Sequence, residues 1–346
     1  MFKYVYYPHM TSSTFSVGSI LHIDYFAIKL YNFFIKKSMF RGIFMILKYI
    51  VKDNKYININ QILKQEFNIS ARLLHKLIVA KHVLLNNSIV DTRSSVTIND
   101  IITINLDFEE ESENIVATQI PLEIIFEDDA FLILNKPAGI AVHPSILHYE
   151  NSLSNGVKFY FNSIGLKRKI RPVNRLDLNT SGLIIFAKNE YVQECLIQQM
   201  NNNIFKKEYL AIVQGYFNNS NGTITLPIAR KNNSIIERCV SPDGQEAITD
   251  YCVLEEHENY SIVKCSLRTG RTHQIRAQMA DAGWPLLGDG KYGSERKNKQ
   301  FGETSGQALY SYKLVFNFKT DAGILNYLNG KEFTVTDIDF VSKYFN

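Results

Sequence analysis

The chain has 346 residues, 45% of them apolar and 21% charged, with a net charge of +4. That is material for two domains, and it excludes both wholesale disorder and a bulk positive field strong enough to bind nucleic acid by charge alone. No apolar run reaches the ~20 residues of a membrane helix, and no signal peptide with a cleavage site is present, so a soluble cytoplasmic protein with no membrane partner is expected.

Residues 1–44 are rich in Phe, Tyr and Ile, but Asp24, Lys29, Lys36 and Lys37 interrupt them. They match no recognisable module and are read as an extension of unknown role. Met45 opens a segment that leads straight into the first domain, which makes it the expected natural start.

Residues 45–106 form that domain. A helix is expected at 59–66. Ser70 is placed to cap a second helix over 71–81, and the strands of 83–90 are broken by Asn86-Asn87, a turn pair. On the second helix Leu73, Leu74, Leu77 and Ile78 make an apolar stripe, whereas Arg72, Lys76 and, at its end, Lys81 project elsewhere. A basic face of this kind is ordinarily solvated surface. Here the order of basic helix, short strand and Asn-containing turn resembles the S4 RNA-binding domain. The resemblance implies contact with structured RNA through phosphates, by Arg72, Lys76 and Lys81. Residues 107–119, acidic at their start, read as a linker.

From 120 to 346 strand-like and helix-like segments alternate without a repeat. The four cysteines, Cys195, Cys239, Cys252 and Cys265, form no C-x-x-C pair, so no metal site is signalled and all four are expected as small buried hydrophobes. Four blocks carry chemistry. The first is a strand at 131–134 running into a turn set by Pro137 and Gly139, which carries Lys136 and His143; alone, it is a turn with a surface lysine. The second contains Arg175 and Asp177 in a loop ending Thr180-Ser181-Gly182, followed by the apolar run 183–187, a buried strand from the middle of a sheet. The small residues admit another backbone or a ligand. Asp177 at that position is either a structural ion pair or the chemistry.

The third block, 207–213, alternates as a strand with Tyr209, Ala211 and Val213 on one face. Because Ala211 is small, the Tyr209 ring is either open to a stacking base or an ordinary core tyrosine. In the fourth, Gly270 ends a strand and Thr272 is placed to cap a helix. Arg268, Arg271, His273 and Arg276 gather at its start, either as solvated basic surface or as an anion site that also supplies partners for Asp177.

These four blocks, Asn-Lys-Pro-x-Gly-x-x-x-His-Pro, Arg-Leu-Asp-x-x-Thr-Ser-Gly, Lys-x-Tyr-x-Ala-x-Val and Gly-Arg-Thr-His-Gln-Ile-Arg, resemble in this order the RluA-type family of pseudouridine synthases. The S4-like domain in front resembles its branch acting on large-subunit ribosomal RNA. The resemblance implies an α+β fold whose catalytic domain is a mixed, largely antiparallel sheet. It also implies isomerisation of uridine in RNA to pseudouridine, needing no cofactor and no obligate protein partner. Asp177 then matches the catalytic aspartate, attacking sugar or base or removing a sugar proton. Arg276 matches its arginine partner, and Tyr209 the tyrosine packed on the target base. Arg175 matches the arginine that fills the stack when the uridine is flipped, and Lys136, His143, Arg271 and His273 are expected at the substrate. Asn174 departs from the family, which usually has His there, so its role is positional. Two other readings stand beside this one: an RNA-binding or ribosome-assembly factor without chemistry, and an N-glycosidic hydrolase. The hydrolase needs a second carboxylate, for which Asp289 is the candidate.

Overall fold

The computed structural model describes residues 45–201, 205–234, 236–300 and 306–338. The extension 1–44, and with it the expectation about Met45, lies outside the described residues. The chain divides into two compact units, Met1–Glu109 and Glu110–Asn346.

In the first unit four short strands, β1 (Ile46–Ile50), β2 (Val83–Leu85), β3 (Ser88–Ile89) and β4 (Ile101–Asn105), pair antiparallel in the order β1-β4-β2-β3. The helices Ile59–Gln65 and Ala71–Val79 lie between β1 and β2 in sequence. Ser70 Oγ accepts the N–H of Leu73 at 3.2 Å and so starts the second helix. Leu73, Leu74 and Leu77 point into a core with Leu47, Ile62, Ile102 and Ile104. Asn86 and Asn87 both have positive φ, 50° and 69°, as a two-residue hairpin between right-twisted strands requires.

The second unit holds the larger sheet. Its strands are β5 (Glu123–Glu127), β6 (Phe131–Lys136), β7 (Arg171–Pro172), β8 (Ser181–Ala187), β9 (Phe205–Gln214) and β10 (Asn221–Thr225), then the two-stranded ribbon β11 (Ile228–Arg230) and β12 (Arg238–Val240). After these come β13 (Ile248–Glu256), β14 (Tyr260–Leu267), β15 (Leu309–Phe316) and β16 (Glu332–Thr334). The spatial order is β10-β13-β14-β9-β15-β8-β6-β5, with β7 on β8 and β16 on β15. Among the described strands only β15 and β8 run parallel. The sheet is therefore mixed and largely antiparallel, and β8 is interior to it.

Alternation along the strands decides what the core contains. Leu132 and Leu134, Ile184 and Phe186, Tyr209, Ala211 and Val213, and Val263 and Cys265 share one face. The helices Leu153–Ser163 and Gln274–Asp281 cover it with Val157, Phe161, Ile275 and Met279. The intervening residues Phe131, Ile133, Leu183 and Ile185 are also fully buried, so β6 and β8 are covered on both sides. Only Cys265 of the four cysteines is fully buried. Cys195, Cys239 and Cys252 are half-buried.

The stretch expected as a linker is packed from Glu110 onward. Glu110 receives Arg171 Nη2 at 2.7 Å, Ser112 Oγ accepts from Ile170 N at 2.9 Å, and Lys158 Nζ donates to the carbonyls of Ser112 and Ile115. A buried arginine on β7 needs carboxylates, so this acid is drawn onto the domain instead of staying in solvent.

Gly182 sits where β8 meets β15 with φ +111°, and a Cβ there would lie 2.3 Å from the Ser311 carbonyl oxygen. The close approach expected at this glycine is thus made by another backbone. Gly182→Ala should destabilise the second unit by roughly 3 kcal/mol, combining backbone strain with overpacking. The shift of the denaturant midpoint against the parent chain measures it.

Candidate active site

One register row crosses five strands: Lys136 on β6 faces Gly182 on β8, Gly182 faces Ser311 on β15, Ser311 faces Tyr209 on β9, and Tyr209 faces Cys265 on β14. All four chemistry-bearing blocks therefore reach the same part of the sheet. The loop carrying Asp177 enters it just before β8, and the segment carrying Arg271, His273 and Arg276 leaves it just after β14.

That loop is held on both sides of the aspartate. Upstream, Asn174 is buried; its Oδ1 accepts from Ile185 N at 2.9 Å and its Nδ2 donates to Leu183 O at 3.3 Å. An amide donates and accepts at once, so it clips the loop to β8. Downstream, the carbonyl of Leu178 accepts from Gly139 N at 3.0 Å and from Lys136 Nζ at 2.8 Å. Thr180 closes a turn onto the carbonyl of Asp177, and its hydroxyl accepts from Gln307 Nε2 at 3.0 Å. Lys136, expected as a surface lysine at the substrate, is instead wholly buried, with Nζ on the carbonyls of Pro137, Ile140 and Leu178. Burial pushes its ammonium down to about 7, while Asp177 pulls the other way. Its position under the turn makes it a tie between two loops.

The charged centre is a buried arginine between two carboxylates. Arg276 donates through Nε and Nη2 to Asp289 at 2.7 and 3.0 Å, and through Nη1 to Asp177 Oδ2 at 2.8 Å. Arg268, paired with Asp250, and Arg271 are exposed, whereas Arg276 is 5% exposed and Asp289 0%, so this last arginine is not part of a solvated basic surface. Burial works against the charge on each, but each is held charged: the two carboxylates raise Arg276, and Asp289 stays below the usual carboxylate range. Asp289 also accepts the backbone N–H groups of Lys291 and Tyr292. With its oxygens committed, Asp289 is an anchor and not the free second carboxylate a hydrolase needs.

Thr272 does not cap the helix: His273 is the residue before its first turn, in the left-handed region at φ 57° and without a side-chain cap bond. Gln274, the first helical residue, instead reaches back to the preceding loop, its Oε1 accepting from Arg271 N and Thr269 Oγ1 at 2.9 Å each. The side chains around this turn line a cleft of about 360 Å³ with Arg175, Asp177, Tyr209 and Lys207. Tyr209 is 4% exposed, so its ring is a wall of the cleft and not an open platform; burial pushes its phenol above the ordinary value. Lys207, on the same side of β9, is pushed down to about 8 by burial and has no ion-pair partner among the described residues. The KxY spacing pointed to the tyrosine and passed over this lysine.

Of the other expected substrate residues, Arg175, Arg271 and His273 line the cleft, and Arg271 Nε donates to the carbonyl of Glu246. His143 is exposed and outside the cleft lining; partial desolvation and then Arg175 lower its pKa. In the first unit Arg72 and Lys81 are exposed and Lys76 half-buried, with Lys81 beyond the helix end at φ 60°. Tyr292, which no sequence motif singles out, receives the Arg276 guanidinium over its ring at 5.1 Å.

Residues 130–281 match the family described as RNA pseudouridylate synthase. The chain is 37% identical over 238 residues to the uncharacterized RNA pseudouridine synthase YlyB of Bacillus subtilis (strain 168), covering 68% of this chain and 77% of that protein. It is also 37% identical over 220 residues to the ribosomal large subunit pseudouridine synthase D of Blochmanniella floridana, covering 62% of this chain and 68% of that one. The solved structure of Human RNA Pseudouridylate Synthase Domain Containing 4 shares the fold, with a TM-score of 0.50 at 20% identity over 64% of this chain and 90% of that one.

Arg276→Met leaves Asp289 buried without its cation, which should cost about 3–5 kcal/mol at neutral pH. In the parent chain, the stability from Asp289 is complete above the ordinary aspartate value of about 3.9 and is lost as pH falls through its lower folded value. In the variant the unpaired carboxylate shifts upward, so the stability deficit should shrink as pH falls. Unfolding curves across roughly pH 3–7 separate the two slopes.

Proposed function

Because the chain belongs to the RluA-type family of RNA pseudouridine synthases, we propose that it isomerises specific uridines of structured RNA to pseudouridine with Asp177 as the catalytic aspartate. The observation that carries this reading is the Asp177 carboxylate at the mouth of an interior strand, 2.8 Å from a buried Arg276 and in one cleft with Tyr209. Three sequence-distant residues meet there.

A uridine reaching this cleft has left its stack, and the exposed Arg175 on the same loop is placed to fill the gap it leaves. The uracil packs on the Tyr209 ring, an interaction of about 1–3 kcal/mol for a stacked base. Because the ring is a wall of the cleft, the base must enter fully to touch it. Asp177 then acts on the sugar or the base while Arg276 holds its orientation, for which a planar guanidinium suits better than a lysine. Arg271 and Lys207 supply positive charge for the phosphates on either side. The hydrolase alternative loses its second carboxylate, since Asp289 is fully buried and fully bonded.

Large-subunit ribosomal RNA is the proposed substrate. The support is the similarity to proteins named ribosomal large subunit pseudouridine synthase D, at 37% identity in Blochmanniella floridana and 32% in Vibrio cholerae. The first unit, with its capped helix, Asn-Asn hairpin and Arg72, Lys76 and Lys81, is the proposed S4-like contact to that RNA in the cytoplasm.

Asp177→Asn should leave folding and RNA binding largely intact while turnover falls about a thousandfold or more. Pseudouridine mapping of total RNA from cells lacking the protein, rescued with the parent chain or this variant, reads it out: sites should return only with the parent. Reversing Arg72, Lys76 and Lys81 to Glu together should weaken RNA binding and reduce the salt slope of log K by roughly 2–3, one phosphate contact per residue. An unchanged slope would remove these three from the RNA interface.

A further inference from the structure

The Asp177 carboxylate is gripped through one oxygen. Arg276 Nη1 donates to Oδ2 at 2.8 Å, and His273 Nε2 stands 3.7 Å from that same Oδ2. Among the described residues, Oδ1 has no hydrogen-bond partner. Behind the imidazole, His273 Nδ1 is 2.8 Å from the Tyr292 hydroxyl, which accepts the backbone N–H of Arg238 at 2.8 Å.

One arrangement of protons satisfies all of these contacts. In it the phenol oxygen accepts from Arg238 N–H and its own proton goes to Nδ1. A neutral ring that accepts at Nδ1 carries its own hydrogen on Nε2, facing Asp177. The opposite tautomer would turn a bare nitrogen lone pair toward a carboxylate. The backbone of His273 is held at φ 57°, an uncommon conformation for a non-glycine residue, by the bond from Ala277 N to its carbonyl, next to the bonds that Gln274 Oε1 accepts from Arg271 N and Thr269 Oγ1.

We propose that Tyr292 and His273 are positioning residues that, with Arg276, pin Oδ2 of Asp177 and so leave Oδ1 as the oxygen presented to the nucleoside. The inference rests on Asp177 being the catalytic aspartate. Rotation of the carboxylate, which would exchange the two oxygens, breaks the Arg276 bond to Oδ2 and carries that oxygen away from the Nε2 hydrogen that faces it, with Nε2 at 3.7 Å.

A pH dependence follows. Burial lowers the His273 pKa and Asp177 raises it, while Arg276, Lys291 and Arg238 lower it further; Tyr292 completes the ring's surroundings, with Glu237 at longer range. Once protonated, the imidazolium is drawn onto Oδ2 and pulls the carboxylate plane toward itself, moving Oδ1 off its line into the cleft. Turnover then falls on the acid side as His273 gains its proton. Donation from Tyr292 to Nδ1 favours the neutral ring, so loss of that hydroxyl should raise the histidine pKa.

The test uses the full chain and two variants that move the acid limb in opposite directions. His273→Asn keeps a residue type that tolerates the left-handed backbone but does not titrate. Its kcat acid limb should move down toward the carboxylate range, by about one pH unit or more. Tyr292→Phe should move the limb up by about half to one unit, the equivalent of one neutral hydrogen bond. Limbs that stay in place, or that move the same way in both variants, would overturn the proposal.

A second readout needs no turnover. Long-range proton–nitrogen NMR of the histidine rings, with the His273 signal identified by its absence in His273→Asn, should show an Nε2–H tautomer in the parent chain. It should also show a raised His273 pKa in Tyr292→Phe and a lowered one in Asp177→Asn. An Nδ1–H tautomer, or a His273 pKa indifferent to both changes, would overturn the relay even if the chain proved inactive on RNA. Absence of pseudouridine formation by the parent chain, with the NMR result as expected, would instead sink the parent reading and leave the contact geometry standing.

Discussion

A single buried guanidinium between two carboxylates is the constraint on which the site depends. Arg276 alone is a costly charge to bury, and so is Asp289; together, with two backbone N–H groups completing the second carboxylate, they form a unit that can exist inside the protein. One guanidinium edge remains for Asp177. The aspartate that does the proposed chemistry is thus the member of the trio left partly exposed, with 23% of its side chain open. Fixing the arginine on the buried side keeps it from following the exposed carboxylate as that group moves.

The sheet supplies the second half of the arrangement. The row from Lys136 through Gly182, Ser311 and Tyr209 to Cys265 sets the spacing of the loops that leave it. Strand register is quantised, because a one-residue slip would turn Tyr209 out of the core face and replace it with a neighbour from the other side. The positions of the loops are therefore inherited from pairing that buries Ile184, Ala211 and Val263. Packing of apolar residues in this way decides where the charged ones stand.

Much of this was legible in the sequence where a residue's local chemistry dictates its place. The apolar run before Lys188 reads as an interior strand and is one, because five consecutive apolar residues have to be covered on both faces. The alternation in 207–213 puts Tyr209 with Ala211 and Val213, and those three share the core cluster. Asn86-Asn87 and Ser70 announce a turn and a cap by side-chain chemistry that acts within three residues. What the sequence does not reveal depends on partners far away in the chain. Lys136 looks like a surface lysine until the carbonyl of Leu178 arrives above it, and Glu110 looks solvated until Arg171 is buried beside it. Thr272 is a sound cap candidate by type, but the helix starts at Gln274 without a side-chain cap, and Gln274 reaches back to Arg271 N instead. The relay through Tyr292 has no local signal at all, since nothing near that residue in the sequence marks it as a neighbour of His273.

The place of β15 in the sheet bears on when the site comes into being. That strand is the last of the long strands among the described residues, yet it lies between β8 and β9, and Gln307 just before it holds the turn that closes over Asp177. During synthesis, Asp177, Tyr209 and Arg276 are all made before the strand that brings their loops into register. A nascent chain that has reached Ala282 carries every residue assigned to the chemistry but lacks the centre of its sheet. Contacts this distant in sequence form late, because closing a long loop costs entropy before it yields any burial. The arrangement around Asp177 is in this sense complete only once β15 has been inserted between its older neighbours β8 and β9.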